Sequence, residues 1–149
     1  MKKKLNNTLV LLLSIFLTSC VSTSKDIQIK DPYVREVPPN QTISASFMTL
    51  INNTESDIAL LKVTSNIAKS IELHEHTHNK GIMQMRQVSK IIIPANNSKK
   101  LQPGGFHIML FGLQRKIKAG EKVNLILEFD NGTKENISAT VKKIMTQGK

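Results

Sequence analysis

Apolar and polar residues alternate along most of this chain with a period of two. Val123, Leu125, Leu127 and Phe129 alternate with Asn124, Ile126 and Glu128. Ile137, Ala139 and Val141 alternate with Ser138 and Thr140, and Phe106, Ile108 and Leu110 with His107 and Met109. Ile71 and Leu73 alternate with Glu72 and His74. Ile43, Ala45 and Phe47 alternate with Ser44 and Ser46, less cleanly as far as Ile51, and Ile58 to Val63 is a short apolar run. Successive side chains of a strand point to opposite faces, so period two over these lengths predicts strands. Turn-forming clusters separate the runs: Asn52-Asn53, Asn79-Lys80-Gly81, Pro94-Ala95-Asn96-Asn97, Pro103-Gly104-Gly105, Ala119-Gly120 and Asp130-Asn131-Gly132. One helical turn is expected near Ser65–Lys69, and no long stripe of helical period appears. Many short strands with frequent turns predict an all-β antiparallel sandwich or barrel.

The amino terminus breaks this pattern. Met1-Lys2-Lys3-Lys4 is basic, and Leu9 to Leu17 is a nine-residue, mostly apolar run. That length suits the ~7–15 residues of a signal-peptide core and falls short of the ~20 that span a bilayer. The run ends in Leu17-Thr18-Ser19-Cys20, small residues before a cysteine, which resembles the bacterial lipobox. The expected organisation is a signal peptide over 1–19, a lipid tether over 20–25, one domain over 26–145 and a polar tail over 146–149. The mature chain is then exported and held by acyl groups on Cys20 at the periplasmic face of a bacterial membrane.

Charge and cysteine content narrow the chemistry. The chain of 149 residues carries 21 Lys and Arg against 11 Asp and Glu, a formal net charge of +10. Three of those cations belong to the leader. The others are dispersed, with isolated pairs at Lys99-Lys100, Arg115-Lys116 and Lys142-Lys143. Stacking aromatics do not interleave them, and export removes the chain from nucleic acid, so no nucleic-acid partner is expected. An acidic partner or an anionic membrane surface fits the charge better. With Cys20 as the single cysteine, neither an intrachain disulfide nor a thiolate metal cage is available. A blue-copper electron-transfer site, which uses a thiolate, is disfavoured for the same reason. No convincing nucleophile–base pair stands out, so an enzyme is not expected.

Histidine and methionine carry the remaining chemistry. On a strand, His74, His76 and His78 share the face opposite Ile71 and Leu73. Asn79-Lys80-Gly81 reverses the chain into Ile82-Met83-Gln84-Met85-Arg86, where Met83 and Met85 share a face. His107 and Met109 point away from Phe106, Ile108 and Leu110. Thioether sulfur is soft and neutral, a poor ligand for Zn(II), Mg(II) or Ca(II) and a good one for Cu(I). The same residues also read as core-filling methionines and surface histidines. His-x-His-x-His fits Zn(II) or Cu(II) by itself. On residues alone, metal binding and plain decoration of a sheet face stand level.

The spacing His74, ten residues, Met85, twenty-one residues, His107, one residue, Met109 resembles the signature of the PCuAC periplasmic copper chaperones. Surrounding segments resemble the family as well: Asp31-Pro32-Tyr33-Val34-Arg35, Ala45-Ser46-Phe47-Met48-Thr49-Leu50 with Asn52, Ile71-Glu72-Leu73-His74-Glu75, Gly81 to Arg86, and Leu101 to Leu110 with Gly112-Leu113. Tyr33 stands where the family commonly has Trp. The resemblance implies a cupredoxin-like Greek-key β-sandwich binding one Cu(I) through His74, Met85, His107 and Met109. It implies copper delivery to the CuA centre in subunit II of cytochrome c oxidase, alongside a Sco-type thiol protein, by a monomeric chain. His76, His78 and Met83 form a secondary set, for Cu(II) or Zn(II) or in competition with the first ligands. Copper or zinc sequestration without delivery is the alternative role.

Overall fold

A computed structural model describes residues 25–79 and 82–143, with the side chains of residues 78, 79, 82 and 83 outside the description. The expected signal peptide, Cys20, most of the expected lipid tether and the expected polar tail therefore lie outside the described residues. Ten strands follow one another: β1 (Ile27–Arg35), β2 (Ile43–Asn52), β3 (Ile58–Thr64), β4 (Ala68–Asn79), β5 (Ile82–Gln87), β6 (Ile91–Ile93), β7 (Asn97–Leu101), β8 (Phe106–Leu113), β9 (Lys122–Phe129) and β10 (Lys134–Lys142). They form one hydrogen-bonded path in the order β5-β4-β8-β2-β1-β10-β9-β3-β6, with β7 beside β2. All pairings are antiparallel except β1 with β10. The path folds over itself, so that β3 meets β4 and β6 meets β7 and β2. The apolar faces so apposed enclose one core, including Val34, Leu50, Leu60, Ile108, Leu110, Leu125 and Leu127.

No helix forms among the described residues. The expected helical turn at Ser65–Lys69 is instead a tight reversal between β3 and β4. The Ser65 hydroxyl accepts from the Ile67 N–H and donates to the Asn124 carbonyl, which closes a turn locally and leaves no room for helix. Strand β1 begins with alternating Ile27 and Ile29, then loses register between Lys30 and Tyr33 in a bulge where Asp31 takes φ 51°. Pro32, which lacks an N–H, sits inside that irregularity.

Two further features order β2. Asn52 is buried but fully hydrogen-bonded. Its Nδ2 donates to the carbonyls of Ser56 (2.7 Å) and Ile93 (3.1 Å), and its Oδ1 accepts from the backbone and hydroxyl of Thr54. Strand β2 also changes partner midway: Ile43–Ser46 pairs with β8, and Met48–Asn52 pairs with β7. The turn from β7 to β8 therefore lies beside the middle of β2. It is closed by Gly105 N–H donating to the Gln102 carbonyl at 3.0 Å, with Gly104 at φ 78°, a conformation that a side chain would strain.

Candidate metal centre

Register assembles the site. Residues directly opposite in an antiparallel pair present their side chains on the same face. His74 lies opposite His107, and Glu72 opposite Met109, across β4 and β8. Met109 lies opposite Ala45 across β8 and β2, and His76 opposite Met85 across β4 and β5. Three histidines and two methionines from three strands thus share the outer face of the β5-β4-β8-β2 segment.

A cavity of about 310 Å³ opens on that face, and His76, Met85, His107 and Met109 all line it. Ile43, Ala45 and Phe47 supply an apolar wall. Their alternation in the sequence is real, but this apolar set faces the cavity. The core side of β2 takes Ser44 and Ser46, whose hydroxyls donate to the carbonyls of Arg35 (2.6 Å) and Tyr33 (3.0 Å) on bulged β1. With those bonds made, the two serines are buried without loss.

The imidazoles cluster. The rings of His76 and His107 stack with centroids 4.9 Å apart, and His74 lies 5.9 Å from His107. His74 sits off the cavity lining, against Phe111 at 6.0 Å. Hydrogen bonds orient two of the three rings. His107 Nδ1 is 2.9 Å from the Gly105 carbonyl, which only accepts, so Nδ1 carries the proton and Nε2 keeps its lone pair. His74 Nε2 is 2.8 Å from the Glu72 carboxylate, which leaves the lone pair on Nδ1. A proton-bearing nitrogen fixed by carbonyl or carboxylate is how metal-binding imidazoles are held. The nitrogens left over, His74 Nδ1, His76 Nδ1 and His107 Nε2, are buried and have no hydrogen-bond partner.

Electrostatics favour a neutral ring at His107. Burial pushes the His107 pKa below 6.5, and the nearby His76, His74 and Arg35 push the same way against the Gly105 hydrogen bond. The Arg35 guanidinium lies 5.2 Å over the Phe47 ring, and Phe47 in turn packs against Tyr33 in a tilted pair with centroids 5.1 Å apart. A neutral imidazole is the form that binds metal. Among the described residues, no three His, Cys, Asp or Glu side chains make a metal-binding group by themselves.

Each residue named from the sequence has a place. Met85, His107 and Met109 meet at the cavity, and His74 stands one step behind, next to His107. His76, expected in a secondary set, belongs to the same cavity. His78 and Met83 pair in register toward the tip of the β4–β5 hairpin, with side chains outside the description. Sequence reasoning missed the supporting groups Glu72, Arg35 and the Gly105 carbonyl. For Glu72 a signal existed, because a residue two before His74 on a strand shares its face.

Residues 27–141 match the family model described as "Putative lipoprotein LpqE-like". A curated relative, "Putative lipoprotein Lxx21020" of Leifsonia xyli subsp. xyli, is 32% identical over 117 residues, 78% of this chain and 69% of its own length. The solution structure of CuI-DR1885 from Deinococcus radiodurans is 35% identical, covering 85% of each chain with a TM-score of 0.69. The copper-bound PCuAC domain from PmoF2 is 21% identical and shows the shared fold, with a TM-score of 0.67 over 79% of this chain and 93% of that one. Together with the all-β architecture, these matches establish that the chain belongs to the LpqE-like lipoprotein family and has the fold of PCuAC domains.

Proposed function

We propose that this chain is a Cu(I)-binding metallochaperone of the cell envelope, with no catalytic turnover. One observation carries the reading: buried nitrogens of His76 and His107 lack partners beside two thioethers at a single cavity, and a buried nitrogen of His74, next to His107, lacks one as well. A buried polar atom left unpaired costs roughly 1–3 kcal/mol, so three neighbouring ones call for a ligand that supplies the missing bonds. Nitrogen lone pairs and neutral sulfur select a soft monovalent ion over Zn(II) or Mg(II). The ligands are His74, Met85, His107 and Met109, following the PCuAC spacing. The structure of CuI-DR1885 from Deinococcus radiodurans, 35% identical to this chain, supports Cu(I) as the ion.

Transfer follows from exposure. Met85 is 48% exposed while His107 is 2% exposed, so the site has a wet side and a dry side. An acceptor's ligand enters from the methionine side as Met85 leaves, while the oriented imidazoles hold the ion. Delivery is to the CuA site of cytochrome c oxidase subunit II, directly or with a Sco-type protein. A lipid anchor on Cys20 keeps the exchange at the periplasmic face of the membrane, in keeping with the lipoprotein descriptions of the family and its relative.

Anaerobic competition against a Cu(I) chelator tests the site. One Cu(I) binds per chain, and Met109→Ala and His107→Ala each release it. Unchanged affinity in both variants contradicts the ligand assignment. Deleting the gene tests delivery, which predicts an oxidase defect rescued by added copper. A second reading, sequestration of copper or zinc, draws on His76 as a third imidazole at the cavity. It predicts metal sensitivity with normal oxidase in the same strain.

A further inference from the structure

A larger cavity, about 620 Å³, opens next to the metal-side cavity and shares Val37 and Gln41 with it. Its walls are the loop after β1 and the segment after β8, tied together by Leu113 N–H donating to the Thr42 carbonyl at 2.8 Å. Val37, Leu113 and buried Ile117 give it an apolar floor, and Pro38 and Pro39 stiffen one wall. Arg115, Lys116, Lys118 and Lys143 line it against one carboxylate, Glu36.

Not all of that charge is free. Arg115 donates to Glu121 at 2.6 Å, and Glu36 accepts from the Ala119 N–H at 3.1 Å. Lys116, Lys118 and Lys143 pair with no carboxylate among the described residues. Three cations without an ion-pair partner among the described residues, Lys118 the one near enough to act on Glu121, therefore stand around an apolar trough that runs up to the metal-side cavity.

We propose that this groove docks an acidic, extended segment of the protein that exchanges copper with the cavity, an inference that rests on the copper reading above. In an extended segment, side chains alternate in direction. Apolar residues settle on Val37 and Ile117 while carboxylates between them reach Lys116, Lys118 and Lys143. Opposite charge speeds encounter and fixes orientation more than it adds affinity, which suits a brief transfer complex. Concavity favours a peptide over a bilayer, since a flat membrane meets the rim of a trough and leaves its floor uncovered. The shared lining residues bring the docked segment's neighbours to the exposed Met85 side.

The test uses the full chain in neutral detergent micelles and an acetylated, amidated octapeptide of alternating Glu and Val. The peptide shifts the amide resonances of Val37, Gln41, Leu113 and Ile117. The triple variant Lys116→Glu, Lys118→Glu, Lys143→Glu binds it roughly tenfold more weakly and keeps its Cu(I) affinity. Equal peptide binding by wild type and variant overturns the proposal, as does an absence of shifts at those amides. So does a third result, in which phosphatidylglycerol doped into the micelles moves these amides and the peptide does not. If peptide binding behaves as stated while the wild-type chain binds no Cu(I), the groove stands as an acidic-segment site and the copper reading fails.

Discussion

Strands β8 and β9 are both eight residues long, yet they treat their second faces differently. On β9, Val123, Leu125, Leu127 and Phe129 are buried, and Lys122, Asn124 and Ile126 are exposed. Water satisfies whatever is polar on that outer face. On β8 the adjacent residues His107 and Ile108, which point to opposite faces, are both buried. Met109 and Phe111 on the His107 side are half-buried. The outer face of β8 is therefore dry without being hydrocarbon, and His107 Nε2 is left unpaired there. Burial of a polar atom with no partner is what separates a binding site from a decorated surface.

The contrast predicts that core and site respond to mutation in different measurements. Leu125→Ala on β9 should cost about 2–5 kcal/mol in denaturant unfolding, through lost burial and a residual cavity, with Cu(I) affinity unchanged in the folded protein. His107→Ala should do the reverse. Chelator competition should show about 100-fold or greater loss of Cu(I) affinity, while the metal-free chain loses less stability than the leucine variant. If the histidine variant is as unstable as the leucine variant and binds copper normally, β8 is only a second core strand.

A smaller effect sharpens which imidazoles take part. Glu72→Gln removes the carboxylate that holds His74 Nε2. Loss of such an orienting group typically lowers metal affinity about 10–100-fold, and the lower end is expected here. An unchanged affinity would move the ligand role from His74 to His76, which lines the cavity and has no such tether.

The pH response is the smallest effect expected. The His107 pKa is lowered by burial in the folded state, whereas the unfolded chain protonates near 6.5. Below 6.5 the unfolded chain therefore binds the extra proton. The associated stability is present above 6.5 and is lost as pH falls toward the folded-state pKa. Unfolding of the metal-free chain followed through this window should show that loss, with a shallower slope in His107→Gln.

Legibility in the sequence followed the same divide. Where one face is dry and the other wet, as in β9 and β10, alternation marks the strand and its inward residues. Strand β7, Asn97 to Leu101, escaped because its residues are polar apart from buried Leu101, and its pairing with β2 gives no local signal. Strand β6 is three isoleucines with Ile92 exposed, too short and uniform for any period to show. The bulge at Lys30–Tyr33 interrupts the alternation of β1. On β2 the period was visible but the assignment of faces was not. It depends on carbonyls of β1 that satisfy Ser44 and Ser46, which are tertiary partners.

The site was legible as a set of residue types on shared strand faces. Alternation put His107 and Met109 on one face and His74 and His76 on another strand's equivalent face. The register that places His76 opposite Met85 and brings its ring onto His107 required the fold. So did the separation of roles, with His76 at the cavity and His74 tied back to Glu72.

X-ray absorption at the copper edge, on the full chain loaded anaerobically with one Cu(I), tests the central claim most directly. The account predicts both sulfur and nitrogen neighbours around the ion, with the sulfur signal reduced in Met109→Ala. A shell of nitrogen and oxygen alone, or sulfur scattering unaltered by that substitution, would contradict it.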